Sequence, residues 1–304
     1  MLSGECGVRS CQLLDDLAEM TRLTGTAMDR GPQQHSALPT PHSALPLRLG
    51  CTSYVIPAEI LPNVEMMAPL VDDIELVLFE SPEMSNLPSP VDIDALASLG
   101  TQHNTTFTVH LPTDRKAGSE SDAERAEMCA SHCRIIERFS HLNPYGYLLH
   151  FEGIRPGAET SEVAAWRVRC REVASSILRD SGVDPRLLCV ECLSYPWHWH
   201  QEIVQDLGLS TCIDVGHLWL YRIDSWIRES EEMLPACRIV HLHGVSGRTD
   251  HVSLAKSDPE LVRYFLGILA RAKYPHVLTL EVFNETDTFE SINVVRDTWA
   301  RSSW

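Results

Sequence analysis

The strongest constraint on this chain is an alternation. Eight apolar runs of strand length recur between Leu47 and Phe283, with helix-length segments between them. The runs are Leu47–Val55, Ile74–Phe79, Thr106–Leu111, Tyr147–Phe151, Leu187–Cys192, Thr211–Val215, Ile239–Leu242 and Val277–Phe283. The helical segments carry their own punctuation. Ser89-Pro90 supplies an N-cap followed by proline at the first helical position. Ser121-x-x-Glu124 has the form of a capping box and predicts a long helix to about Leu142. Thr160 or Ser161 opens another helix that Gly182 ends, and Gly208 and Pro275 stop later ones. Strands that alternate with helices pair in parallel. Eight such units over about 250 residues predict an α/β fold, a closed (β/α)8 TIM barrel. An open doubly wound sheet would carry a glycine-rich turn after its first strand, and Gly50-Cys51-Thr52-Ser53-Tyr54 has no such fingerprint.

Residues 1–46 stand apart. A direct repeat, HSALP at His35–Pro39 and His42–Pro46, sits in a proline-rich stretch that cannot bury a core. The chain is therefore expected to divide into a disordered N-terminal extension, 1–46, and a catalytic barrel, 47–304. A short helix around Gln12–Leu23 fits inside the extension, and His35 and His42 read as solvated residues. The N-terminus lacks an apolar core ahead of its acidic residues and does not read as a signal peptide. No run of about 18 apolar residues exists to span a membrane. With 25 basic and 42 acidic residues the net charge is −17, which argues against passive attraction to nucleic acid or anionic membranes. The ten cysteines are scattered. Cys189 and Cys192 have C-x-x-C spacing, but in a strand positions i and i+3 face opposite sides. The set reads as buried, reduced thiols in a cytoplasmic protein.

In such a barrel, reactive groups gather at the C-terminal ends of the strands. Those ends carry His110, His150 followed by Glu152, Glu191, Asp214 followed by His217, His241 followed by His243, and Glu281, with His251 in the loop beyond the seventh strand. Any one of these alone reads as a satisfied core histidine or a helix cap. Six successive strands agreeing is different, because so many ionisable groups on one rim cost too much desolvation without a cation or charge pairs. A mixed nitrogen and oxygen set of this size suits Zn²⁺, Mn²⁺ or Fe²⁺. Glu191 lies between the two halves of the ring and is the candidate bridge for two such ions. Glu152, which shares a face with His150, reads as a general base, a support for a ligand, or a ligand itself. Arg115 and Arg248 follow His110 and His243 closely and read either as phosphate contacts or as solvated charges. The run Tyr195-Pro-Trp-His-Trp-His200 reads either as a platform for a flat substrate, with Trp197 in contact, or as the anchor of its own loop. His243 completes the candidate substrate contacts.

The order of rim groups resembles the xylose-isomerase-like barrel superfamily, which includes the second family of apurinic-site endonucleases, sugar isomerases and epimerases. By that resemblance the endonucleases' histidines of strands three and four fall on His110 and His150, and their bridging glutamate on Glu191. Their D-x-x-H pair falls on Asp214 and His217, their strand-seven histidine on His241, and their strand-eight glutamate on Glu281. Their late D-x-H motif falls on Thr249-Asp250-His251. Thr249 stands where an aspartate is expected, so a third metal position lacks its carboxylate unless Asp250 supplies one from a shifted position.

A narrower resemblance covers nearly all of residues 47–284. Arg48-Leu-Gly-Cys-Thr-Ser-Tyr-Val-Ile-Pro-Ala-Glu-Ile-Leu-Pro-Asn63, Val109-His-Leu-Pro-Thr-Asp114, Val240-His-Leu-His-Gly-Val245, Arg248-Thr-Asp-His251 and Leu278-Thr-Leu-Glu-Val-Phe283 look like the cobamide-remodelling phosphodiesterases. That resemblance implies hydrolysis of the nucleotide-loop phosphodiester of adenosylated cobamides, with a corrinoid as small-molecule substrate. Two divalent ions joined by one carboxylate suit phosphodiester cleavage, which needs an activated water and stabilised phosphoryl oxygens. A one-metal sugar isomerase or epimerase, built on Glu191, Asp214, His241 and Glu281, has no need of His110, His150 and His251. A DNA-repair endonuclease would want basic loops that this acidic chain lacks. A corrinoid-binding or metal-storage protein without turnover is the non-enzymatic reading.

Overall fold

The computed structural model describes residues 45–81 and 84–303. Its strands are β1 (Arg48–Thr52), β2 (Asp73–Val77), β3 (Thr106–His110), β4 (Gly146–Leu149), β5 (Leu188–Glu191), β6 (Ser210–Asp214), β7 (Cys237–Leu242), β8 (Gly244–Ser246), β9 (Thr249–Val252) and β10 (Val277–Leu280). The helices are α1 (Ile60–Met67), α2 (Pro90–His103), α3 (Asp122–Phe139), α4 (Thr160–Ser181), α5 (Gln201–Leu207), α6 (Val215–Tyr221), α7 (Trp226–Met233), α8 (Pro259–Arg271) and α9 (Glu285–Arg301). Eight strands close in the order β1-β10-β7-β6-β5-β4-β3-β2, all parallel. The expected TIM barrel is therefore present. The HSALP repeat and the Gln12–Leu23 segment lie outside the described residues, save Leu45, which packs against the core, and Pro46.

Two-residue periodicity builds the interior. Outward positions such as Leu49, Ile74, Val109, Val190, Ile213 and Leu278 pack beneath the helices. Inward positions Leu148, Cys189, Cys212, Ile239 and Val277 form a separate apolar plug inside the barrel. Two residues further along those same strands stand His150, Glu191, Asp214, His241 and Thr279. Because strand side chains alternate between faces, one apolar layer at the bottom sets the polar layer above it.

Local signals differ from expectation in three places. Ser121 caps α3 by accepting from the Glu124 N–H, but Glu124 does not return the bond. Its carboxylate instead accepts from Ser119 Oγ at 2.5 Å and the Lys116 N–H at 3.0 Å, because the preceding loop folds back onto it. Helix α4 is capped one residue early, by Glu159 in a reciprocal box with Glu162. The segment after β7, expected as loop, forms the antiparallel hairpin β8–β9, turned by Gly247 at φ +63°. Among the described residues no helix is long and apolar enough to cross a membrane. The eight described cysteines are free.

Candidate metal centre

Local structure aims each rim group. Asp214 ends β6 and caps α6, accepting from the His217 N–H at 2.7 Å. The three-residue spacing thus puts His217 one turn above its own cap. Gly216 between them is obligatory, since a Cβ there would stand 2.0 Å from His243 Cε1. His241 on β7 and His243 just past its end lie on the same inward side by alternation. His251, on β9, is held at φ +50°, a left-handed conformation uncommon outside glycine. Its backbone N–H donates to His243 Nδ1 at 3.0 Å, and its ring lies on the His243 ring with centroids 4.0 Å apart. The hairpin is what folds His251 back over the barrel mouth.

Glu191 is the hub, only 2% exposed at its side chain. Its Oε2 lies 2.9 Å from His150 Nε2, 3.7 Å from His110 Nε2 and 3.5 Å from His241 Nδ1. Its Oε1 lies 3.7 Å from His217 Nδ1. Asp214 Oδ2 is 3.3 Å from His217 Nδ1 and 3.9 Å from His241 Nδ1, and Glu281 Oε2 is 3.0 Å from His241 Nδ1. The far edges of the rings are held elsewhere. His150 Nδ1 meets Glu152 Oε1 at 3.3 Å, His110 Nδ1 meets the Leu111 carbonyl at 3.1 Å, and His251 Nδ1 meets the Glu281 carbonyl at 3.0 Å. Such outer partners fix which nitrogen of a ligating histidine carries the proton.

The charges are strongly interdependent. Burial disfavours the His150 imidazolium, yet the carboxylates of Glu191 and Glu152 outweigh it and raise its pKa to about 10. For His243 burial is likewise outweighed by Asp214, giving about 9. Burial pushes the Glu191, Asp214 and Glu281 carboxyls up, but adjacent imidazoles hold all three below the usual range. A neutral imidazole can donate to only one of two flanking carboxylates. Between His150 and Glu191, and between His241 and Glu281, a proton or a metal cation must therefore sit.

A metal fits. Asp214 Oδ2, His217 Nδ1, His241 Nδ1, His243 Nε2 and Glu281 Oε2 are all buried without a hydrogen-bond partner. Metal-capable groups close around His110, His150 and Glu191, around Glu191, Asp214 and His217, and around His217, His243 and His251. The last group includes His243, which was expected as a substrate contact rather than among the metal-holding residues.

Residues 71–300 match the family described as xylose isomerase-like TIM barrel. The chain belongs to this family. Solved structures share the fold. A D-tagatose 3-epimerase-like protein is 20% identical, with a TM-score of 0.67 over 83% of this chain and 97% of its own. Endonuclease IV from Thermus thermophilus is 20% identical, with a TM-score of 0.66 over 84% and 100%. Another protein from Thermus thermophilus, solved after soaking with ZnCl2, is 19% identical, with a TM-score of 0.60 over 86% and 100%. No curated protein sequence matches significantly.

In this xylose isomerase-like barrel the structure brings His110, His150, Glu152, Glu191, Asp214, His217, His241, His251 and Glu281 to one rim. The four expected substrate contacts are placed differently. His243 is fully buried beneath His251, its Nε2 3.2 Å from Asp214 Oδ1. Arg115 turns its Nε to Glu127 on α3 at 3.1 Å. Arg248 is exposed in the hairpin turn. Trp197 is 3% exposed, and its backbone N–H donates to the buried Glu229 carboxylate at 3.1 Å. The aromatic run is thus the anchor of its own loop, with Tyr195 stacked on Trp199 and bonded to the Phe151 carbonyl. Glu75, mid-strand on β2, was not among the expected groups, yet it lies 2.8 Å from His241 Nε2.

His200 closes that loop fully buried, edge-on to Phe151, Tyr195 and Trp197, with neither ring nitrogen bonded. Burial lowers its pKa to about 3, against about 6.5 when unfolded. Below pH 6.5 the unfolded chain takes up a proton that the folded chain refuses, so this contribution is complete above 6.5 and lost as pH falls towards 3. At about 1.4 kcal/mol per pKa unit the loss reaches a few kcal/mol. Urea unfolding at pH 7 and pH 4.5 should show a smaller acid loss in His200→Phe than in the wild type. Equal losses would place the acid sensitivity elsewhere.

Proposed function

We propose that this chain is a metal-dependent phosphodiesterase that hydrolyses the nucleotide-loop phosphodiester of adenosylated cobamides, yielding a cobinamide phosphate and an α-riboside for cobamide remodelling and corrinoid salvage. The observation that carries this reading is the surplus of imidazoles around Glu191. A one-metal sugar enzyme is served by Glu191, Asp214, His241 and Glu281, all buried here. His110, His150, His217 and His251 extend that core into a ring at the mouth, with side chains 10–15% exposed. The long cobamide-phosphodiesterase-like segments select the substrate within that reaction class.

Glu191, Asp214, His241 and Glu281 would hold one divalent ion, and His110, His150 and the shared Glu191 a second. Bound Zn²⁺, Mn²⁺ or Fe²⁺ supplies Lewis acidity at the phosphoryl oxygens and a nucleophile from water near neutral pH. The chain's own part is orientation. Glu191 spans both halves, Glu152 steadies His150, and the β8–β9 hairpin sets His251 over the opening. Free thiols, buried at six of the eight described cysteines, fit a reducing cytoplasmic setting.

A second reading rests on the same inner four residues, which form a complete one-metal set suited to a ketose epimerase. The acidic net charge favours a small corrinoid over DNA. The test incubates metal-loaded, full-length protein separately with an adenosylated cobamide, an abasic-site duplex and a ketose, then separates products. The expected result is a cobinamide phosphate and a riboside from the cobamide alone. An intact cobamide beside cleaved duplex or converted ketose would overturn the assignment.

A further inference from the structure

Glu75 has no place at the mouth of the ring. Its side chain is 0% exposed, it sits below the rim on β2, and its Oε1 is buried without a hydrogen-bond partner. Two residues earlier, the buried Asp73 is served by the hydroxyls of Thr106 and Thr108 at 2.5 and 2.9 Å. Glu75 is served by an imidazole, with its Oε2 2.8 Å from His241 Nε2. Burying a carboxylate here carries a desolvation cost that an aliphatic side chain would avoid. The layer beneath avoids it with Leu148, Ile239 and Val277. A charge kept in this position is explained by what it does to His241.

The two nitrogens of that ring face different groups. Nε2 faces Glu75, whereas Nδ1 faces Glu281 Oε2 at 3.0 Å, Glu191 Oε2 at 3.5 Å and Asp214 Oδ2 at 3.9 Å. A carboxylate accepting from Nε2–H leaves Nδ1 as the lone-pair donor. We propose that Glu75 is a positioning residue, which fixes the His241 tautomer and so presents Nδ1 as a ligand toward Glu191, Asp214 and Glu281. Glu75, His241 and Glu281 also lie close enough together to hold an ion, but the proposal places Glu75 against the Nε2 edge of the imidazole, opposite the ion held through Nδ1. The proposal rests on the metal-centre reading and adds to it the group that sets affinity at the inner position.

The test is chelator competition against full-length protein loaded with Zn²⁺, for the wild type, Glu75→Gln and Glu75→Leu. Gln still accepts from Nε2–H through its amide oxygen, so its loss of Zn²⁺ affinity is expected to be measurable but below about tenfold. Leu cannot accept, and the expected loss is about 10–100-fold, as for other outer partners of ligating histidines. Thermal unfolding of the chelated proteins serves as control. A merely structural pair would lower the melting temperature of the chelated Leu variant and leave Zn²⁺ affinity untouched, and that result overturns the proposal. Should the Leu variant fail to fold, unchanged affinity in Glu75→Gln overturns it instead. Absence of Zn²⁺ uptake by the wild type would sink the metal-centre reading itself, an outcome distinct from the others.

Discussion

Glu191→Gln is expected to lower turnover by about 10³-fold or more, which corresponds to about 4 kcal/mol of transition-state stabilisation. Glu191 alone reaches both halves of the ring, through Oε2 to His110, His150 and His241 and through Oε1 to His217. An amide at this position removes a charge and places an N–H against imidazole nitrogens, so bound metal should fall along with activity. Glu152→Gln is the matched control. Glu152 meets the ring at His150, 3.3 Å away, and its side chain is 22% exposed. Its amide oxygen can still accept from His150 Nδ1, so a loss of about tenfold is expected. Full metal occupancy and normal turnover in Glu191→Gln would remove the bridging role.

What the sequence disclosed, and what it hid, follows from the range of each interaction. The barrel was legible because strand and helix signals are local and recur eight times. The ring was legible because alternation carries it: if Cys189 faces inward then so does Glu191, and if Ile239 does then so do His241 and His243. Glu75 was hidden for the opposite reason. Within Asp73-Ile-Glu75 it looks like a polar interruption of a strand, and the imidazole that explains it lies 166 residues away. Trp197 was ambiguous because its partner, Glu229, belongs to a helix of the next strand–helix unit, 32 residues away. The β8–β9 hairpin is only three and four residues per strand, too short for a periodic signal. It is nonetheless what places His251, whose alignment to the ring was legible but whose backbone strain was not.

Chelation is expected to reduce turnover to background, and a divalent salt to restore it, because the buried atoms of Asp214, His217, His241 and Glu281 face one another without a hydrogen bond and a cation among them would organise them. The bond that breaks can then be read by isotope. Turnover in heavy-oxygen water should place solvent oxygen in the phosphate of the corrinoid product, with the riboside leaving on its own oxygen. The reason lies in which groups reach the mouth. Attack at the ribose carbon would develop positive charge on the sugar and would call for a carboxylate facing it. Here Glu191, Asp214 and Glu281 are 2%, 0% and 8% exposed and lie beneath the opening. The carboxylate nearest the opening, Glu152, is turned to His150 Nδ1 at 3.3 Å, and the mouth is otherwise lined by His110, His150, His217 and His251, imidazoles suited to hold cations against phosphoryl oxygens. Label found only in the riboside would show attack at carbon, and with it a different orientation of substrate over the same ring.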